Sequence, residues 1–131
     1  MTERPARILV VEDDGDTRLA LGMRLRASGF EILEAGDTDG AVTVARRERP
    51  DLILLDLGLP GGGGFVVMER LSADPGLDDM PVVVLSARDP ESAAGPSLAA
   101  GAIAYLEKVV DNRRLLATIR EGLARSRTAV S

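Results

Sequence analysis

Two reactive side-chain types are missing from this chain: it has no cysteine and no histidine. Without cysteine there is no disulfide, no thiolate nucleophile and no zinc–thiolate centre. Without histidine there is no Ser-His-Asp triad and no imidazole metal site. Aromatic residues are also scarce. One Tyr and two Phe make up 2% of the chain, so the core must be aliphatic and nucleic-acid bases would find little to stack on. Basic residues are scattered, apart from the pairs Arg46–Arg47 and Arg113–Arg114, and the net charge is −5. Direct DNA or RNA binding is therefore not expected. No apolar run approaches the roughly 20 residues of a membrane span. The opening MTERPARILVVEDD has only a four-residue apolar stretch before it turns acidic, which is not the pattern of a signal peptide. These absences predict a soluble, cytoplasmic protein with no membrane partner.

What remains for chemistry is carboxylate, Lys, Arg, hydroxyl and backbone. Any metal would have oxygen ligands, which favours Mg²⁺, Mn²⁺ or Ca²⁺. The 131 residues match one domain, large enough to bury roughly two-thirds of its unfolded surface.

Strand and helix patterns alternate. ARILVV (6–11) reads as a buried strand. Asp16 to Ser28 reads as a helix with Leu21 and Leu25 on one face, closed by Gly29. FEILEA (30–35) alternates apolar and polar residues, as an outer strand would. Thr38 to Arg49 fits a second helix with Ala41, Val42 and Ala45 inward, stopped by Pro50. LILLD (52–56) is the third strand. Phe65 to Ala73 fits a third helix with Phe65, Met68 and Leu71 on one face, and DPGLDDMP (74–81) is a loop. VVVLS (82–86) is the fourth strand. In DPESAAGPSLAAG (89–101) a helix is due, but Gly95-Pro96 predicts that it is short, late or irregular. IAYLE (103–107) is the fifth strand. Asp111 to Arg125 is the last helix, with Leu115, Leu116, Ile119 and Leu123 inward, followed by a short frayed tail at 126–131. Five strands and five helices in this order imply an α/β fold: a doubly wound parallel sheet covered by helices on both faces.

Ligands of such folds bind at the carboxyl ends of the strands. Glu12, Asp13 and Asp14 follow the first strand, Asp56 ends the third, Ser86 ends the fourth and Lys108 follows the fifth. Carboxylates gathered at one edge repel one another until a divalent cation joins them. With oxygen ligands only, Mg²⁺ is the natural occupant, taking one or two carboxylates plus a phosphate. A nearby Lys pairs with an anion, and a Ser hydroxyl donates to a phosphoryl oxygen. These parts suggest phosphoryl transfer to a carboxylate, with an acyl phosphate as product. Asp14 is read as a helix N-cap. The run Gly61–Gly64 lacks the Lys-Ser or Lys-Thr of a P-loop and is read as a mobile turn.

The segments VVEDD, LILLDLGLPGGGGF, PVVVLSAR and AGAIAYLEK together resemble the signature segments of the response-regulator receiver domain of two-component signalling. The resemblance spans residues 6 to 125, and its motifs fall in order with appropriate spacing. It implies a flavodoxin-like, receiver-type fold and a signalling switch that catalyses only its own phosphorylation and dephosphorylation. By that resemblance Asp56 is the phosphoacceptor. Asp13 ligates Mg²⁺ directly, Glu12 holds a metal-bound water, and the Gly58 carbonyl is a further ligand alongside Asp56. Lys108 pairs with the phosphoryl group, Ser86 is the switch hydroxyl, and Tyr105 is the aromatic that swings inward behind it. The implied donor is a phosphohistidine on a sensor histidine kinase or phosphotransfer protein. The implied output is an unidentified partner on the face formed by the fourth helix, fifth strand and fifth helix.

The sequence departs from the family pattern in places. Val109 stands where the family usually has a cis proline; a cis bond before a non-proline residue costs about 2.5–4 kcal/mol, so that bond is either trans, shifting the loop, or strained. Gly63 stands where the family often has an Asp, and as a fair helix cap it is expected to cost only a few tenths of a kcal/mol. The interrupted fourth helix lacks the charges that one large subfamily uses to dimerise. Arg88 and Gly58 occupy positions that influence dephosphorylation in the family. Two other readings compete. A haloacid-dehalogenase-like phosphatase or mutase would usually carry a second Asp two residues after the nucleophile, where this chain has Gly58. A degenerate receiver would be a phosphorylation-independent adaptor.

Overall fold

The computed structural model describes residues 4–130, with side chains as far as Arg125. Met1, Thr2 and Glu3, where the signal-peptide reading began, lie outside the described residues. The element order is β1 (Arg7–Val11), α1 (Gly15–Ala27), β2 (Glu31–Ala35), α2 (Thr38–Glu48), β3 (Leu52–Leu55), α3 (Gly64–Ser72), β4 (Val82–Ser86), α4 (Pro90–Ala99), β5 (Ala104–Glu107) and α5 (Asn112–Val130). The backbone of the segment expected as a tail continues α5 to Val130, and Ser131 lies outside the described residues.

All five strands are parallel, in the order β2-β1-β3-β4-β5. The alternating strand predicted to be outermost, β2, is an edge. Because successive strand residues point to opposite faces, the apolar strands feed two cores. Leu9, Val11, Ile53, Leu55 and Val84 pack with α2, α3 and α4 through Ala41, Ala45, Val67, Met68, Leu71 and Ala93. Ile8, Val10, Leu52, Leu54, Val83 and Leu85 pack with α1 and α5 through Leu21, Leu25, Leu115 and Ile119. Burial on both faces is why β3 and β4 read as unbroken apolar runs. The strand order reverses between β1 and β3, so the crevice of this doubly wound sheet opens there.

Two helices differ from expectation. The inner stripe of α3 is Gly64, Val67, Met68 and Leu71, a regular i, i+3, i+4, i+7 set. Phe65 lies one step off that stripe and packs at its margin. Gly64 leads the stripe because a Cβ there would meet the Asp56 carbonyl at 2.7 Å.

The second difference is α4, which runs unbroken through Gly95-Pro96. Pro96 removes one donor, whose acceptor would be the Ser92 carbonyl, and Ser92 is exposed to water. The helix is meanwhile secured at both ends of its inner face. Asp89 caps it, Pro90 suits its first turn, Ala93 and Ser97 are buried, and the Ser97 hydroxyl donates to the Ala93 carbonyl at 2.7 Å.

The glycine turn, expected to be mobile, lies against the start of α2. It is tied to buried Thr38, whose N–H donates to the Pro60 carbonyl at 3.1 Å and whose hydroxyl donates to the Gly63 carbonyl at 3.3 Å. Gly63 is the N-cap of α3 at φ 86° without a side-chain cap bond, and a Cβ there would lie 3.0 Å from the Leu57 carbonyl. Glycine is demanded here by the backbone, not merely tolerated as a cap.

Candidate phosphoacceptor site

The ladder hydrogen bonds of the central strands continue one residue past their ends and place the first two acids. The Glu12 N–H donates to the Ala35 carbonyl at 3.1 Å, and the Asp56 N–H donates to the Val11 carbonyl at 3.0 Å. The chain then leaves β3 through Leu57 and returns on Gly64, whose N–H donates to the Leu57 carbonyl at 2.9 Å. The N-terminus of α3 is thereby seated against the backbone that carries Asp56.

Glu12 and Asp56 are 2% and 8% exposed, whereas Asp13 is exposed. Glu12, Asp13 and Asp56 each offer one carboxylate oxygen, and the three oxygens lie within 4.8 Å of one another. Glu12 Oε2 accepts from the Asp14 N–H at 3.1 Å, and Glu12 Oε1 is paired with Lys108 Nζ. Lys108 Nζ also reaches Asp56 Oδ2 at 3.4 Å. Burial pushes the Glu12 carboxyl above its ordinary range; the Lys108 ammonium and the Asp14 N–H pull it back, and the Asp56 charge adds to the rise. For Lys108, burial works to lower the ammonium pKa. The hydrogen bond to Glu12 and the charges of Asp56 and Glu12 outweigh it and raise the group above its ordinary value.

Glu12, Asp13, Asp56 and Lys108 thus meet at one strand edge. The donor set is all oxygen and anionic, which fits a hard divalent cation such as Mg²⁺. Gly58 lies beside it, since a Cβ at Gly58 would be 3.8 Å from Asp56 Oδ2. Asp14 is the N-cap of α1, accepting from the Thr17 N–H at 3.0 Å. The Thr17 hydroxyl, and after it that N–H, hold its carboxyl below the usual carboxylate range. The Lys108–Val109 peptide is trans, as no cis bond occurs among the described residues, and Val109 is exposed. The Lys108 N–H donates to the Ser86 carbonyl at 2.9 Å, so the backbone of β4 sets the height of the lysine.

Ser86 is buried, and its hydroxyl accepts from the Arg88 N–H at 3.1 Å, which leaves its own proton available for donation. The same Arg88 residue accepts from the Tyr105 hydroxyl at its carbonyl, at 2.6 Å. Ser86 and Tyr105 are therefore linked through one stretch of backbone. Tyr105 stands half-buried in the wall of a groove of about 500 Å³, which also includes Pro90, Ala94, Glu107, Val110 and Arg114. Glu12, Asp13 and Asp56 lie outside this groove, which belongs to the face of α4, β5 and α5.

Sequence reasoning passed over Arg18. Its Nη1 donates to the Glu12 carbonyl at 2.7 Å and its Nε to Glu34 Oε1 at 3.1 Å. A signal was available: a cation in the first turn of a helix opposes the helix dipole and calls for a specific partner.

A family model described as response regulator receiver domain matches residues 8–120. The phosphate regulon transcriptional regulatory protein PhoB of Escherichia coli is 40% identical over 119 residues, covering 91% of this chain and 52% of PhoB. The chain thus spans about half the length of that relative. Protein PilH of Pseudomonas aeruginosa is 35% identical over 119 residues, covering 91% of this chain and 98% of PilH. Among solved structures, a CheY-like response regulator receiver domain protein from Methanospirillum hungatei superposes with a TM-score of 0.86 at 27% identity, covering 96% of this chain and 99% of that one. The BeF3-activated N-terminal receiver domain of RstA from Klebsiella pneumoniae gives 0.83 at 32% identity, covering 89% and 97%.

Proposed function

Because this chain belongs to the response regulator receiver domain family, we propose that it is a phosphorylation switch with Asp56 as its acceptor. The observation that carries the reading is the meeting of Asp56, Asp13, Glu12 and Lys108 at one strand edge, with Lys108 Nζ 3.4 Å from the Asp56 carboxylate. The donor is a phosphohistidine on a sensor histidine kinase or phosphotransfer protein, since this chain has no histidine to phosphorylate. An Asp56 carboxylate oxygen bonds to phosphorus, the phosphorus–nitrogen bond breaks, and the imidazole leaves with its electron pair. Later attack by water on the acyl phosphate returns the carboxylate and releases inorganic phosphate.

Asp13, Asp56, the Gly58 carbonyl and, through water, Glu12 would hold Mg²⁺, which when bound supplies positive charge to the phosphoryl oxygens. The chain's own residues do the rest. Lys108 pairs with the phosphoryl oxygens as the charge of Asp56 moves outward. Ser86 turns its hydroxyl proton toward the new anion and gives up the Arg88 N–H. The Arg88 backbone that also holds the Tyr105 hydroxyl then shifts, and Tyr105 repacks in the groove of α4, β5 and α5. That face binds or releases an output partner. The cytoplasmic setting belongs to the same proposal, and no helix among the described residues is long and apolar enough to cross a membrane.

The test is intact mass after incubation with Mg²⁺ and acetyl phosphate, for wild type and Asp56→Asn, followed by transfer from a phosphohistidine donor. Gain of one phosphoryl group by the wild type alone, lost again on standing, is expected. Gain by both proteins would mean another acceptor. Gain by neither, from either donor, would leave a phosphorylation-independent adaptor.

A further inference from the structure

The acidic loop after β1 is held from behind by a side chain that touches none of the three carboxylates' facing oxygens. Arg18, the fourth residue of α1, reaches back with Nη1 to the Glu12 carbonyl at 2.7 Å, while its Nε is anchored on Glu34 at 3.1 Å at the end of β2. The Glu12 N–H is already taken by the Ala35 carbonyl. Both polar groups of the Glu12 backbone are therefore fixed, one by the sheet and one by the guanidinium. The Glu12 carbonyl belongs to the peptide that carries Asp13, so fixing it fixes the plane from which the Asp13 side chain departs. Asp13 needs this more than Glu12 does: Glu12 is packed at 2% exposure, whereas Asp13 is exposed and has no such packing to aim it. Glu34, with Arg26 Nη2 also at 3.8 Å, balances the guanidinium charge close to the acids.

We propose that Arg18 is a positioning residue for the divalent-cation site, holding the Glu12–Asp13 peptide so that Asp13 and Asp56 converge. This rests on the switch reading above. Groups one layer behind metal ligands typically govern affinity by 10- to 100-fold when removed, whereas a clamp that only joined α1 to β2 would change stability and leave metal affinity alone.

The experiment is Mn²⁺ titration followed by electron paramagnetic resonance on wild type, Arg18→Met, Arg18→Lys and Glu34→Gln, with circular-dichroism melting to establish that each is folded. Arg18→Met is expected to raise the Mn²⁺ dissociation constant about tenfold. Arg18→Lys, which keeps a donor and the charge, should recover most of that loss. Labelling by acetyl phosphate should show the same split: Arg18→Met needs more Mg²⁺ but reaches a rate near that of wild type at saturation. If Arg18→Met does not fold, Glu34→Gln is read instead, with a weaker rise expected. Equal constants for wild type and the variant read, or a loss that Arg18→Lys leaves untouched, would overturn the proposal. Failure of the wild type itself to bind Mn²⁺ would instead sink the switch reading and this inference with it.

Discussion

Glu12 is the carboxylate in this site that burial makes least comfortable as an anion. Its pKa is raised in the folded chain above the ordinary 4.5, chiefly by burial and further by Asp56. For a group raised on folding, the stability it contributes is fully present below the unfolded pKa and is lost as pH rises through the folded one. In chelator, the urea midpoint of wild type relative to Glu12→Gln is therefore expected to fall as pH climbs from 4.5 through that raised value. A difference that grows with pH would contradict the burial argument. The residue scale is also where sequence was most and least informative. Asp56 and Glu12 were legible because each follows directly on an apolar run, and Lys108 because it follows β5; strand ends in this fold share an edge. Arg18 was not, because its partner is a backbone carbonyl, which has no letter in the sequence.

At the scale of elements, the turn from β3 into α3 fits badly with a single-residue view. Asp at position 63 looks like a helix cap that this chain has lost. The backbone there has φ 86°, and a Cβ would press on the Leu57 carbonyl at 3.0 Å. Gly63→Asp is therefore expected to destabilise by about 1–3 kcal/mol, the cost of holding an L-residue at positive φ with extended ψ, a region kept almost wholly to glycine, read as a lower urea midpoint at unchanged slope. A gain in stability would show that capping outweighs the strain. The fourth helix teaches the complementary lesson. Gly95-Pro96 is a breaker by propensity, but the buried pair Ala93 and Ser97 and the Asp89 cap hold the helix through it. Propensity is a local preference, and packing of an inner face overrides it.

Across the whole molecule, the sheet joins two places that behave differently. At the β1/β3 crevice three carboxylate oxygens crowd within 4.8 Å. On the far side of β4, Tyr105 faces the groove and is tied to Ser86 through Arg88. Crowded anions make the folded chain a better cation binder than the unfolded chain, so Mg²⁺ should stabilise it. At a tenfold excess of Mg²⁺ over its dissociation constant, mass action is worth about 1.4 kcal/mol, seen as a raised melting temperature. Asp13→Asn should abolish that rise while leaving the apo protein no less stable, since it relieves like-charge repulsion. An Mg²⁺ response that survives the substitution would place the cation elsewhere.

The sequence by itself determined the alternation of strand and helix, the two-faced burial of the sheet and the identity of the acids and lysine at its edge. Those follow from hydrophobic period and chain order, which are properties of neighbouring letters. Tertiary structure alone decided how far the acids converge, that Lys108 sits on Glu12 as well as Asp56, and that α4 survives its proline. It also decided that Gly63 is demanded by φ and that Arg18 holds the Glu12 carbonyl. Each of these depends on distances between segments far apart in the chain, or on backbone atoms common to every residue.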